Sequence, residues 1–211
     1  MADIYGTIYD DNSTVGPDGK FHIALFGTSE DDYMSGDEGN DALYGFEGDD
    51  TVDGWTGNDV VVGYEGNDIL LGYDGDDTLG DWYHGEPGND YLNGEAGNDV
   101  LYGYGGGTEF DTLTGGSDAD TFVLGQETNI SVNGYAYYLG DGHATITDFD
   151  YQQGDKFQVY GSIENYSLGT SNWSGSDALD TGIYYQDDLI AVVQDKSGSD
   201  VLLEYDFNFV V

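Results

Sequence analysis

Residues 27–123 repeat a pattern of nine positions, in which six turn-forming residues precede a short apolar stretch. Five units follow one another without a gap at residues 36–80, and they read GDEGNDALY, GFEGDDTVD, GWTGNDVVV, GYEGNDILL and GYDGDDTLG. Position eight is apolar in all ten units, at Met34, Leu43, Val52, Val61, Leu70, Leu79, Leu92, Leu101, Leu113 and Phe122. Each unit therefore predicts six residues of turn and three of strand, with one side chain buried.

Two such units close one coil, so the repeat predicts an all-β parallel β-roll of about five coils, stacked at roughly 4.8 Å. The remaining units lie at 27–35, 85–93, 94–102, 103–114 and 115–123. Extra residues at 81–84 and 104–110 interrupt the pattern, so the positions beside them are the least regular. A thin core of this kind needs support at its ends, which predicts capping segments on both sides.

Both flanks of the repeat are predicted to be β caps. Residues 1–26 contain a turn at Pro17–Gly19 and then an apolar run from Phe21 to Phe26, which would cover the first coil. Residues 124–211 contain a hairpin turn at Asn133–Gly134. Further strands are predicted in this C-terminal segment at residues 143–149, 156–159, 189–193 and 201–209.

The charge of the chain is extreme, with 43 Asp and Glu against 3 Lys and Arg, for a formal net charge of -40. This field excludes nucleic acid and anionic membrane surfaces as partners, and no apolar run is long enough to insert into a membrane. Either the chain is disordered or bound cations neutralise it. The content of 38% hydrophobic and 15% aromatic residues argues against disorder.

Position six indicates which cation is expected. It is Asp in every unit, at Asp32, Asp41, Asp50, Asp59, Asp68, Asp77, Asp90, Asp99, Asp111 and Asp120. Units that share an edge of the roll bring these carboxylates within one strand spacing, where they repel unless a cation lies between them. Calcium accepts six to eight carboxylate or carbonyl oxygens, and the glycine-rich turns offer carbonyls. Four gaps along each edge predict up to about eight calcium ions.

These columns resemble the RTX (haemolysin-type calcium-binding) family and its GGxGxDxUx repeat. The resemblance implies that the ten aspartates bind calcium together with turn carbonyls, here those of the position-four glycines Gly39, Gly48, Gly57, Gly66, Gly75, Gly88 and Gly97. Position two departs from the family pattern, since Gly is replaced by Asp37, Phe46, Trp55, Tyr64, Tyr73, Glu86, Glu95 and Tyr104. A ligand from position two is a backbone carbonyl, so the metal site should survive this change.

The same resemblance implies secretion. The stretch ATITDFDYQQGDKFQV is similar to the cap that follows RTX repeats in secreted proteins. The terminal DFNFVV is similar to the uncleaved C-terminal signal of type I secretion, although an ordinary last strand explains it equally well. The N-terminus lacks the pattern of a cleaved signal peptide. The starting Met and the two caps favour a complete product over the tail of a larger protein.

No motif indicates an enzyme. The sequence lacks HExxH, GxSxG, EF-hand and phosphate-loop patterns, and His84 is interpreted as part of a loop. The leading hypothesis is an extracellular structural or surface module that folds when it binds calcium. A carboxylate-pair hydrolase within 124–211 is the enzymatic alternative.

Two binding alternatives remain open. Phe46 and Tyr64 are expected to stack on one edge of the roll, and Trp55 and Tyr73 on the other. Such ladders either stack on sugar rings of a glycan or surface component, or shield the turns. Ice binding needs a flat Thr or Asn array, and position three supplies only Thr56.

Overall fold

The computed structural model describes residues 1–7, 14–15, 21–22, 24–80, 88–103, 108–126 and 135–210. Almost every element is a β-strand; one 3-10 turn lies at Ile163–Asn165. The strands are β1 (Asp3–Tyr5), β2 (Thr14–Val15), β3 (Phe21–His22), β4 (Leu25–Phe26), β5 (Tyr33–Ser35), β6 (Ala42–Glu47), β7 (Thr51–Thr56), β8 (Val60–Glu65), β9 (Ile69–Asp74), β10 (Thr78–Gly80), β11 (Tyr91–Ala96), β12 (Val100–Tyr102), β13 (Thr112–Ser117), β14 (Thr121–Val123), β15 (Gly125–Gln126), β16 (Tyr135–Ala136), β17 (Ala144–Ile146), β18 (Lys156–Tyr160), β19 (Tyr166–Ser171), β20 (Asp180–Tyr185), β21 (Asp188–Val193) and β22 (Phe207–Val210).

Successive repeat strands alternate between two sheets, which confirms that two units form one coil of a parallel β-roll. The ten-stranded sheet has the order β1-β5-β7-β9-β11-β13-β17-β21-β20-β19, and the eight-stranded sheet has the order β22-β18-β14-β12-β10-β8-β6-β4. Two small antiparallel pairs, β2 with β3 and β15 with β16, lie outside them. Within the repeat every strand pairs in parallel with the strand two units away.

The core is the column of position-eight side chains between the two sheets. All ten of them, from Met34 to Phe122, are fully buried, as the sequence predicts. The register places like positions beside each other, for example Leu43 beside Val61 and Leu70 beside Leu92. Each coil therefore buries its apolar side chains against those of the coils above and below it.

The repeat strands are longer than the predicted three residues. Most span six residues, from position seven of one unit to position three of the next. The extension arises because positions two and three also pair with the neighbouring coil, as Phe46 does with Tyr64 and Glu47 with Glu65. Only positions four to six are left to form the turn.

Both sheets continue beyond the repeats into the C-terminal segment. Strand β17 pairs in parallel with β13, and β18 pairs in parallel with β14. Strands β21 and β22 extend the two sheets by one further layer, and β20 and β19 add antiparallel strands to the ten-stranded sheet. Ile146, Phe157, Val193 and Phe207 join the same buried cluster as the repeat core.

The strands predicted in the flanks agree with the structure in part. The run from Lys156 and the run from Leu189 correspond to β18 and β21, whereas β19 and β20 were not predicted. The strand predicted at 201–209 begins only at Phe207, because hydrogen-bonded turns occupy the residues before it.

At the N-terminus, β4 pairs with β6 and the unpredicted β1 pairs with β5. The turns predicted at Pro17–Gly19 and Asn133–Gly134, the residues 81–84 with His84, and the side chains Glu86 and Tyr104 lie outside the described residues. Over the described ranges, no helix has the length and apolar character needed to cross a membrane.

Candidate metal centre

The position-six aspartates form two columns, one along each edge of the roll. One edge carries Asp32, Asp50, Asp68, Asp90 and Asp111, and the other carries Asp41, Asp59, Asp77, Asp99 and Asp120. Nine of these residues are at most 2% exposed; Asp90 is the exception and is partly exposed. Their burial follows from the turn, which folds the carboxyl group over the first glycine of its own unit, as Asp50 lies over Gly45 and Asp59 over Gly54.

A hydrogen-bonded ladder joins the aspartates of each column. The backbone N–H of each residue donates to the Oδ1 atom of the next one along the chain, from Asp32 to Asp50 at 2.7 Å and from Asp41 to Asp59 at 2.8 Å. The same bond recurs up to Asp111 on one edge and up to Asp120 on the other. Throughout, Oδ1 therefore supports the stacking of the coils.

The second carboxylate oxygen, Oδ2, has different surroundings. The Oδ2 atom is buried and accepts no hydrogen bond at Asp50, Asp59, Asp77, Asp99 and Asp120. It faces the position-one glycine, where a Cβ added to Gly45 would lie 2.3 Å from Asp50 Oδ2. A buried charged oxygen without a partner is destabilising, so a ligand that binds these atoms would stabilise the folded chain.

Burial raises the pKa of these carboxyl groups, because a charge is disfavoured away from water. The pKa rises to about 8 for Asp59, to about 7 for Asp99 and Asp120, and to about 6 for Asp50 and Asp77. Neighbouring carboxylates add to the effect, as Asp77 and Asp41 do at Asp59. A cation beside these oxygens would favour the charged carboxylates and so counter the effects of burial and of the neighbouring carboxylates on the pKa.

Two of the predicted ligands have both oxygens occupied by protein donors. Asp32 accepts hydrogen bonds from the Ala2 N–H at Oδ1 and from the Thr28 N–H and hydroxyl at Oδ2. Burial alone would raise the pKa of Asp32, but these bonds together lower it. Asp111 Oδ2 accepts a hydrogen bond from the hydroxyl of the buried Tyr138, a pairing that no sequence pattern indicated.

The position-four glycines stack closely along each edge. A Cβ added to Gly57 would lie 1.6 Å from the Gly39 carbonyl oxygen, and the same close approach recurs on the opposite edge between Gly66 and Gly48. Each carbonyl thus points along the roll axis toward the next coil. The remaining members of this predicted carbonyl set, Gly75, Gly88 and Gly97, follow the same arrangement.

Position five forms an outer, exposed ladder of Asn and Asp residues. The N–H groups of Asn58 and Asn67 donate to Oδ1 of Asn40 and Asp49 at 2.9 Å in both cases. Hydrogen bonds from Asn67 lower the pKa of the exposed Asp49. These side chains are satisfied by the protein, in contrast to the inner Oδ2 atoms.

This donor set fits a hard cation. Within the described residues, no group of three or more His, Cys, Asp or Glu side chains converges on one point. An ion on either edge would therefore combine one or two position-six carboxylates with carbonyl oxygens of the glycine-rich turns. Calcium accepts such an all-oxygen set in a flexible geometry, whereas zinc and copper prefer nitrogen and sulfur.

Asp155, which the sequence analysis did not single out, continues one of the two ladders. Its Oδ1 accepts the Asp120 N–H at 3.1 Å, and its side chain is 2% exposed. Asp155 lies 35 residues from Asp120. The other ladder steps are 18 to 22 residues long, so a nine-residue pattern does not reach it.

The position-two side chains take an unusual backbone conformation. Phe46, Trp55, Tyr64 and Tyr73 have φ angles of 73° to 83°, a region that favours glycine. As predicted, the rings pair by edge: Phe46 with Tyr64 at 5.6 Å between centroids, and Trp55 with Tyr73 at 6.4 Å. The Phe46 and Tyr64 rings stack nearly parallel, so their facing surfaces cover one another.

A family model of the RTX calcium-binding nonapeptide repeat matches the chain in four copies, at residues 26–61, 56–79, 80–107 and 106–130. No curated protein matches the chain.

Two solved structures are similar over nearly the whole chain. One is the extracellular lipase LipA from Serratia marcescens, with a TM-score of 0.29 and 16% identity over 96% of this chain and 42% of the lipase chain. The other is the AlgE6R3 subunit of the Azotobacter vinelandii mannuronan C5-epimerase, with a TM-score of 0.29 and 17% identity over 99% of this chain and 78% of the subunit chain. The chain thus spans less than half of the lipase.

Proposed function

The repeat segment, residues 26–130, belongs to the RTX calcium-binding nonapeptide repeat family; from this we propose that the chain is a secreted module that folds when calcium ions bind along both edges of its roll. The ten position-six aspartates and the position-four glycine carbonyls supply the ligands. Up to about eight ions are expected, four along each edge.

The buried Oδ2 atoms without a partner carry this proposal. Five of them recur at equivalent places in successive coils, each in a side chain that is at most 1% exposed. A folded chain without calcium must protonate these groups or bear their repulsion. Calcium removes that penalty, so binding free energy becomes folding free energy.

Secretion and the folding switch follow from the same charges. With a net charge of -40, the chain is expected to stay unfolded where calcium is scarce and to fold where it reaches millimolar levels. Extracellular calcium modules bind at roughly 0.1–1 mM, which matches such a switch. RTX repeat proteins are typically extracellular, which supports the proposal; type I secretion through the C-terminal DFNFVV is its finer part.

The module is proposed to be structural or surface-associated and not catalytic, as its repeat family generally is. The exposed edge aromatics stack on each other, which supports a shielding role over glycan binding. Retention of the protein on immobilised glycans, lost in a Trp55→Ala, Tyr73→Ala variant, would instead favour the glycan alternative.

A calcium titration of chelator-treated protein tests the proposal. Far-UV circular dichroism and the number of bound ions are followed together, with magnesium as the control because its tight octahedral geometry suits carbonyl-rich sites poorly. We expect a cooperative gain of β signal with several calcium ions per chain and little response to magnesium. A chain that is fully folded in chelator, with an unchanged spectrum in calcium, would contradict the proposal.

A further inference from the structure

The C-terminal segment repeats the geometry of a calcium-binding turn without repeating its sequence. Strand β18 pairs with β14 so that Phe157 lies beside Phe122, the last position-eight residue. This register places Asp155, which lies two residues before Phe157, at position six of a twelfth unit, since β17 beside β13 stands for the eleventh. The sequence around it, FDYQQGDKF, lacks the paired glycines of the repeat.

The contacts of Asp155 also match those of the repeat aspartates. Its Oδ1 accepts the N–H of Asp120, and the Lys156 N–H donates to the Asp120 carbonyl oxygen at 2.8 Å. The repeat uses the same two bonds, for example from the Asp41 N–H to Asp59 Oδ1 and from the Val60 N–H to the Asp41 carbonyl. The coil after Asp120 is therefore built like the coils before it.

Asp120, the ladder partner of Asp155, has a polar side-chain atom without a hydrogen-bond partner. Asp120 Oδ2 is buried, accepts no hydrogen bond, and belongs to a side chain that is 1% exposed. Asp148 lies close by, but its two oxygens accept the N–H groups of Gly115 and Gly116. Lys156, the residue after Asp155, carries its charge to another carboxylate, since its Nζ lies 3.6 Å from Asp206 Oδ1.

We propose that a further calcium ion binds between the turns of Asp120 and Asp155, one coil beyond the recognised repeats. Asp120 supplies its unpartnered Oδ2, and Asp155 supplies a carboxylate that the Asp150 N–H orients through a 2.7 Å hydrogen bond to Oδ2. Each carboxylate oxygen has two lone pairs, so this bond leaves acceptor capacity for a cation. The site rests on the proposed function, because it uses the same ligand chemistry.

Anomalous diffraction from crystals of the unmodified protein grown in calcium tests the site directly. We expect a calcium peak between the Asp120 and Asp155 turns in addition to peaks in the repeat. Peaks confined to the repeat would overturn this site while leaving the proposed function standing. No calcium peak anywhere would overturn both.

A substitution provides the second test. Asp155→Asn keeps an oxygen for the Asp120 N–H but removes the charge, and Asp187→Asn removes a charge from an exposed turn. Bound calcium per chain is counted for each after equilibrium dialysis. We expect Asp155→Asn to bind one ion fewer than the unmodified protein and Asp187→Asn to bind the same number. An equal count in a folded Asp155→Asn protein would overturn the site, and if that variant fails to fold the diffraction result decides.

Discussion

Gly57, at position four, meets two demands at once. It has a φ of 132°, which side chains rarely adopt, and a Cβ added there would lie 1.6 Å from the carbonyl oxygen of Gly39 in the coil before it. Gly175 meets only the first of these demands. Comparing these glycines therefore separates the energetic cost of a positive φ from the cost of steric overlap.

Gly57→Ala should destabilise the calcium-loaded protein by about 2–5 kcal/mol, since it adds a steric overlap to an unfavourable φ. Gly175→Ala is the matched control, because Gly175 has a φ of 75° and nothing within 4 Å of an added Cβ. It should cost only about 1 kcal/mol. Urea denaturation measures both, and equal losses would show that the close stacking of the glycines is not a constraint.

The buried aspartates predict a pH dependence with a definite sign. In the unfolded chain their pKa is near the ordinary value of 3.8, while in the folded chain without calcium it rises to about 8 at Asp59 and about 7 at Asp99. The folded state therefore holds more protons between these values. Stability is fully present below the unfolded pKa and is lost as pH rises through the folded pKa.

In chelator, any β signal in far-UV circular dichroism that appears when the carboxyl groups are protonated should consequently be lost between about pH 5 and pH 8. In saturating calcium the signal should not fall over this range, because the ion takes the place of the protons and binds better as they leave. A proton release on calcium binding near pH 7, measured in two buffers of different ionisation enthalpy, checks the same linkage. A calcium-free β signal that rises with pH would refute the expected sign.

At the scale of the single strand, the aromatic side chains at position two are held in a left-handed conformation within a regular ladder. Trp55 has a φ of 79° and lies in β7, paired with Tyr73 of β9. Such a residue costs about 1–2 kcal/mol over the ordinary region. The ring contacts on the edge offset part of that cost.

Trp55→Gly should therefore be more stable than Trp55→Ala, by about 0.5–1 kcal/mol, although glycine is normally the weaker residue in a strand. Thr51, at the start of the same strand, is the control. There the order should invert, and Thr51→Ala should be the more stable by about 0.5–1 kcal/mol. Thermal or urea unfolding of the four variants in calcium gives both differences, and the same order at both positions would speak against backbone strain at Trp55.

The repeat strands could be predicted from the sequence because every unit places an apolar residue at position eight. Their length could not, since the pairing of positions two and three depends on the neighbouring coil. Strands β19 and β20 were missed for a related reason. They form an antiparallel pair of their own, and Leu168 and Ile183 meet only through that pairing.

At the scale of the whole molecule, the roll and the C-terminal segment share one core. Ile146 of β17 is fully buried and lies between Leu113 of the last complete coil and Val193 of β21. Both sheets run on from the repeat strands into the strands of residues 144–210.

Ile146→Ala should lower the stability of the repeat and of the C-terminal segment together, by about 2–5 kcal/mol. Hydrogen exchange in calcium reads the two parts separately. We expect peptides from 36–80 and from 144–193 to lose protection in parallel. Loss confined to the C-terminal peptides would mean that this segment unfolds as an independent unit.

In the candidate site too, residues at a regular sequence spacing could be predicted, whereas residues that only the fold brings together could not. The repeat aspartates could be predicted as ligands because nine of the ten stand five residues after the first glycine of their unit. Asp155 and Tyr138 could not, because one is 35 residues from its partner Asp120 and the other is 27 residues from Asp111, with no regular spacing between them. Only the folded coils bring these groups together.

The two side-chain ladders run in opposite directions. In the inner ladder an earlier coil donates to a later one, as Asp41 N–H does to Asp59, while in the outer ladder a later coil donates to an earlier one, as Asn58 N–H does to Asn40. A finished coil therefore presents ready-made acceptors to chain arriving at either of its faces. Nucleation at any coil can then propagate toward both termini, so assembly of the roll has no obligatory starting end.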